Sequence, residues 1–160
     1  MLELCQASMD ELFLNDDDER KYRGPMPHSK KDALYQLANG LEYIHFMKLI
    51  HREIKPANAL VWVGDNKVLM KWADFGLTKR DIRYTNSMCN LLMENEWRAP
   101  ELLEKSRASK HYTTKSDVFS EGIVFAYFLL DGKHPYGSDP SHEIPNNISK
   151  GNTENLRGNN

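Results

Sequence analysis

Cysteine is scarce in this chain. Cys5 and Cys89 are its two cysteines in 160 residues, and they stand too far apart to form a metal-ligand pair, so reduced thiols in a cytosolic setting are expected. Long apolar runs are missing as well. The most apolar stretch, Ile123 to Leu130, falls well short of the roughly 20 residues a membrane helix needs and reads as a buried helix. No charged-then-apolar leader opens the chain. Charge of one sign is not in excess either: the formal net charge is -2, and the basic residues are scattered rather than striped. That gives no reason to expect nucleic acid or an acidic membrane as a partner. What remains is the composition of an ordinary soluble domain, 40% apolar and 28% charged, long enough to bury one core.

The chain opens with an apolar piece, Met1-Leu2-Glu3-Leu4-Cys5, followed by Met9 to Leu14, which has a helical look. The charge run Asp16-Asp17-Asp18-Glu19-Arg20-Lys21 reads as a solvated loop, and Gly24-Pro25 with Pro27 prevents regular structure after it. Ser29 with Asp32 makes a cap-like start for a helix whose Leu34, Leu37, Ala38, Leu41 and Ile44 recur at helical spacing. His45 at its end reads as structural. Ala59 to Val63 and Val68 to Trp72, separated by Gly64-Asp65-Asn66-Lys67, predict a hairpin that carries Asp74 back toward Asn58. Ser116-Asp117 is expected to cap a helix running to Leu130 that is apolar on nearly every side. From Ser138 onward the sequence is rich in Asn, Ser, Gly and Pro and is expected to be loosely ordered. Asn147-Ile148-Ser149 fits a glycosylation acceptor, although chance explains it better in a cytosolic tail.

The densest chemistry lies in His51-Arg52-Glu53-Ile54-Lys55-Pro56-Ala57-Asn58, which gathers a carboxylate, two cations and an amide in one short loop. Asp74-Phe75-Gly76 and then Ala99-Pro100-Glu101 follow it. An aspartate and an asparagine oxygen are hard ligands suited to magnesium, which fits Asp74 and Asn58. Lys55 is a compact cation able to meet a phosphate, and phosphoryl transfer asks mainly for such charge neutralisation and in-line positioning.

In order and spacing these three elements resemble the catalytic loop, the Asp-Phe-Gly element and the Ala-Pro-Glu element of protein kinases of the serine/threonine type. The resemblance covers roughly the whole chain. It implies an α+β fold, a mainly helical C-lobe with a short β-hairpin and with the N-lobe absent. Residues 1–137 would form a partial kinase domain, and 138–160 a loosely ordered tail that begins an incomplete remainder of the lobe. The implied cofactors are ATP and magnesium. The backbone from Glu3 to Cys5 would meet the adenine and Leu60 would lie under it. Lys55 would face the phosphates, Asn58 and Asp74 would hold the metal, and Glu53 would stand in the catalytic acid's place. Arg52 would pair with a phosphorylated activation segment whose hydroxyls include Thr78, Tyr84, Thr85 and Ser87, near Lys79, Arg80 and Arg83. His51 and Phe75 would hold the loop by packing. Asp117 would anchor it through backbone N–H groups. The implied partners are ATP and a protein substrate or protein partner.

Two departures from the family pattern matter. Glutamate at 53 replaces the family's aspartate and carries its carboxylate one methylene further out; a misplacement of about 1 Å can cost about a hundredfold in a positioned reaction. Glu94 stands where kinases of this type usually carry threonine, so two carboxylates would face Lys55, which is unfavourable unless a proton or metal intervenes. The glycine-rich loop, the strand lysine and its partner glutamate have no counterpart here. Gly132 to Gly137, Leu2 to Cys5 and Trp97 look most like the inositol-requiring stress-sensor kinase–endoribonucleases of the endoplasmic reticulum. That likeness implies a cytosolic location, on the reticulum's cytosolic face for a full-length parent, and a dimer. Two functions stay open: a weak or inactive protein kinase lobe, or a pseudokinase acting as a nucleotide-sensing or scaffolding module.

Overall fold

The computed structural model describes residues 3–80, 94–103, 112–137 and 141–156. Helix α1, Lys30–Phe46, begins where the Ser29 hydroxyl accepts the Asp32 N–H at 3.0 Å, the expected cap. Its buried stripe is Ala33, Leu37, Leu41 and Ile44. Leu34 and Ala38, expected on that stripe, lie half-buried at its edges, because a period of 3.6 rotates the inner face away from a fixed four-residue step.

Strand β2, Leu49–Ile50, follows a short turn. After the loop of residues 51–58, β3, Ala59–Gly64, and β4, Lys67–Trp72, pair antiparallel from Ala59 opposite Trp72 to Gly64 opposite Lys67. The turn is tighter than expected. Only Asp65 and Asn66 remain unpaired, with φ of +47° and +58°, the geometry that matches the twist of a two-residue hairpin. Alternation gives the hairpin two faces: Ala59, Val61, Met70 and Trp72 are buried, while Leu60, Trp62, Leu69 and Lys71 stay partly open. Strand β1, Ala7–Ser8, lies along β3, and β5, Lys79–Arg80, pairs with β2.

Three expectations are corrected before the site is reached. Met9 to Leu14 forms a single 3-10 turn over Asp10–Leu12 rather than a helix; it has no side-chain cap, and a segment this short does not repay helix nucleation. The second concerns the cap of α3, Thr114–Leu129. Thr113 caps it, exchanging bonds with Ser116 at 3.3 Å in each direction, which leaves the Asp117 carboxylate for another purpose. Although α3 is apolar on nearly every side, one face is buried, while Val118 and Leu129 are exposed.

Short helix α2, Pro100–Leu103, follows the Trp97 turn, and Trp97 packs edge-on against Tyr127 of α3 at 5.5 Å. The expectation of a loosely ordered tail also gives way over its described residues, 141–156. Helix α4, Ile144–Lys150, buries Ile144, Asn147 and Ile148 and ends on Gly151 at φ +67°. An apolar pair four residues apart, followed by a left-handed glycine, is helix grammar that the Asn- and Ser-rich composition masks. The Asn147 amide is buried and donates to the Tyr136 carbonyl at 3.1 Å, so it packs rather than presenting a glycosylation acceptor. Among the described residues no helix is long and apolar enough to cross a membrane.

Candidate active site

The loop of residues 51–58 is held from beneath by one carboxylate. Asp117 Oδ2 accepts the His51 N–H at 2.8 Å and Oδ1 accepts the Arg52 N–H at 2.9 Å, while His45 Nε2 lies 3.0 Å from Oδ2. The chain needs this clamp because Arg52 sits at φ +74°, a conformation that side-chain-bearing residues adopt only when their surroundings impose it. His51 is fully buried. Burial pushes its imidazole below the usual range against the pull of Asp117, and its Nδ1 accepts the Glu53 N–H at 3.3 Å. Phe75 approaches the His51 ring at 5.1 Å yet remains half exposed.

Lys55 lies between two acids. Its Nζ is 3.5 Å from Glu53 Oε1 and 3.4 Å from Glu94 Oε1; the Glu53 side chain is 12% exposed and that of Glu94 is 59% exposed. The inner pair is thus largely withdrawn from water and the outer one is screened by it. Two residues on, burial raises the Glu96 carboxyl, and the charge of Glu94 adds to the shift.

Asn58 and Asp74 meet through the backbone. The Asn58 carbonyl accepts the Ala73 N–H at 2.9 Å, so the hairpin returns Asp74 to the end of the loop. The buried Asn58 spends its Nδ2 on the Glu53 carbonyl at 2.8 Å, and its amide oxygen is the atom that could ligate a metal. Asp74, exposed and at φ +61°, uses Oδ1 to accept the Gly76 N–H at 3.2 Å. Two hard oxygens suit a magnesium ion that takes its other ligands from phosphate and water. No cluster of three or more His, Cys, Asp or Glu among the described residues would hold a metal by itself.

The open hairpin face carries Leu60 and, through Lys71, meets Glu3. Leu60 is paired with Lys71 across the strands, which puts both on that face. Lys71 Nζ bonds Glu3 at 2.7 Å and stands 4.4 Å over the Trp62 ring. Residues 3–5 belong to no strand; burial raises the Cys5 thiol above its ordinary range.

Thr78 donates to the His51 carbonyl at 3.4 Å, and the Arg52 guanidinium lies 4.9 Å over the Tyr112 ring. Tyr84, Thr85, Ser87, Arg83 and Cys89 lie outside the described residues. Sequence reasoning did not find three partners: His45 on Asp117, Lys71 on Glu3, and the Ser116 hydroxyl that donates to Glu101 at 2.7 Å. Each joins residues distant in the chain and leaves no local signature.

The protein kinase domain model matches residues 2–157. Human serine/threonine-protein kinase/endoribonuclease IRE2 is 37% identical over 141 residues, covering 85% of this chain and 15% of that protein. The Schizosaccharomyces pombe sensor for unfolded proteins in the ER, ire1, is 34% identical over 179 residues, covering 95% of this chain and 16% of its own length. The chain therefore spans about a sixth of these relatives. In fold it is similar to a chain of the crystal structure of the yeast RNA Pol II CTD kinase CTDK-1 complex, with a TM-score of 0.66 at 24% identity, covering 91% of this chain and 44% of that one. By the match of the family model across nearly its whole length, the chain belongs to the protein kinase domain family.

Proposed function

We propose that this chain is the catalytic lobe of a serine/threonine protein kinase that binds ATP with magnesium and transfers the γ-phosphate, weakly as it stands, to a protein hydroxyl. The observation that carries this reading is Lys55 held within 3.5 Å of Glu53 on a loop clamped by Asp117. Glu53 would accept a hydrogen bond from the acceptor hydroxyl, and Lys55 would meet the phosphate. Asn58 and Asp74 would hold the magnesium, which when bound neutralises phosphate charge. Leu60 and the backbone from Glu3 to Cys5 would receive the adenine.

A second reading is supported by the contact of Lys55 with Glu94 at 3.4 Å. With its phosphate-facing cation engaged by two carboxylates, the chain would serve as a pseudokinase, a nucleotide-sensing or scaffolding module. By likeness to the stress-sensor relatives, a longer protein carrying this segment would work at the cytosolic face of the endoplasmic reticulum and would dimerise.

The test is calorimetric titration of the chain with ATP, with and without magnesium, beside Asp74→Ala. Magnesium-dependent binding that the variant loses supports a nucleotide site. Its absence from both proteins would leave the fold a role in contacts alone.

A further inference from the structure

Glu121 lies on α3 one turn beyond Asp117, the residue that anchors the catalytic loop. On a helix, residues four apart share a face, so Glu121 stands on the Asp117 side of α3 and is partly buried. Its Oε1 is buried and has no hydrogen-bond partner. A buried carboxyl oxygen left without a donor is costly when ionised and much less so when the group carries its proton.

The surroundings are defined from each packed element. His45 of α1 bonds Asp117, which lies on α3 itself, and Trp72 of β4 offers the Glu121 carboxyl an indole hydrogen bond that leaves Oε1 without one; His51 joins through its backbone bond to Asp117. One imidazole therefore sits among two acids. We propose that Glu121 is a positioning residue that acts through Asp117, so that its loss of a proton weakens the hold on the His51 and Arg52 N–H groups. The reason is electrostatic: the ionised form places a second negative charge beside Asp117 in a poorly solvated layer, and opening the clamp lets water reach it. Burial, the largest cause, raises the Glu121 carboxyl to about 7, with Trp72 and His45 pulling the other way and Asp117 adding to the rise. The change thus falls near neutral pH. Its relevance to catalysis rests on the kinase reading above, whereas the clamp itself is a matter of geometry.

The experiment follows the His51 and Arg52 backbone amides of the full chain by NMR from pH 6 to 8.5, in the parent protein and in Glu121→Gln, with Glu121→Leu as the second variant. In the parent both resonances should shift with a midpoint near the value given for Glu121. Their hydrogen exchange, corrected for its intrinsic pH dependence, should quicken by about tenfold, the equivalent of one pKa unit of coupling. Both variants should hold the two amides constant over this range. Amides that do not titrate in the parent, or that titrate equally in either folded variant, would overturn the proposal; equal titration would assign the response to His45 or His51. None of these readouts requires ATP, so a chain that binds no nucleotide can still pass or fail.

Discussion

The Glu94 carboxylate stands 3.4 Å from the Lys55 ammonium, with Glu53 at 3.5 Å on the same cation. In the proposed site a nucleotide phosphate would have to share or displace these contacts. Lys55 is consequently the point at which the two functional readings separate.

Replacing Glu94 by threonine should release Lys55 from its outer partner. An exposed pair of this kind is worth about 0 to 1 kcal/mol, so ATP affinity with magnesium should rise by up to about fivefold. Calorimetry on Glu94→Thr checks this. Unchanged affinity would mean that the outer acid does not compete with phosphate.

The clamp predicts a larger effect. Asp117→Ala would leave the His51 and Arg52 N–H groups without their acceptor and His45 without its partner, in a region where Asp117 itself is 2% exposed. Removing one member of a buried network of this sort costs about 3 kcal/mol or more. In a domain of this size that lowers Tm by roughly 6–12 °C. Thermal unfolding followed by circular dichroism is the check, and a loss no larger than that of a surface substitution would show that the clamp does not hold the loop.

Much of this site was legible because its geometry is local. The spacing from Glu53 to Asn58 fixes a loop, the two apolar runs around Asp65 and Asn66 form the hairpin, and the hairpin returns Asp74 to Asn58. Even the crowding of Lys55 by Glu53 and Glu94 followed from the resemblance. Other features depend on packing between remote elements. Nothing near His45 announces that its ring will meet a carboxylate 72 positions later, and the orphaned oxygen of Glu121 exists only once α3 is buried. Helix α4 was hidden for a different reason, since average composition over the tail obscured Ile144 and Ile148, which carry the period.

Acid should destabilise the fold through His134. Its Nε2 lies 3.0 Å from the Glu96 carbonyl and its Nδ1 accepts the Tyr136 N–H at 3.2 Å, so both nitrogens are used by the neutral ring. Burial lowers the imidazole to about 4, partly opposed by the Glu96 carbonyl. The folded value lies below the ordinary one of 6.5, so this contribution is complete above about 6.5 and is lost as pH falls toward 4. Urea titrations at pH 7, 5.5 and 4.5 should show stability declining, with a flatter decline in His134→Gln. An equal decline in both proteins would assign the acid sensitivity to other groups.

Glu53 offers the most direct test of transfer itself. Shortening it to aspartate withdraws the carboxylate by one methylene, to the position the family pattern uses, and leaves its charge unchanged. If that carboxylate orients an acceptor hydroxyl, transfer of labelled phosphate to a generic protein substrate should rise in Glu53→Asp by about tenfold to a hundredfold, the scale set by a displacement of about 1 Å. Glu53→Gln keeps the longer side chain without the charge and should fall below the parent. The parent's carboxylate already lies within 3.5 Å of Lys55, so the aspartate variant also slackens that contact and frees the cation for phosphate; both changes act in the same direction. Equal rates in all three proteins would remove Glu53 from the reaction and leave Lys55, Asn58 and Asp74 as a nucleotide site without a working acid.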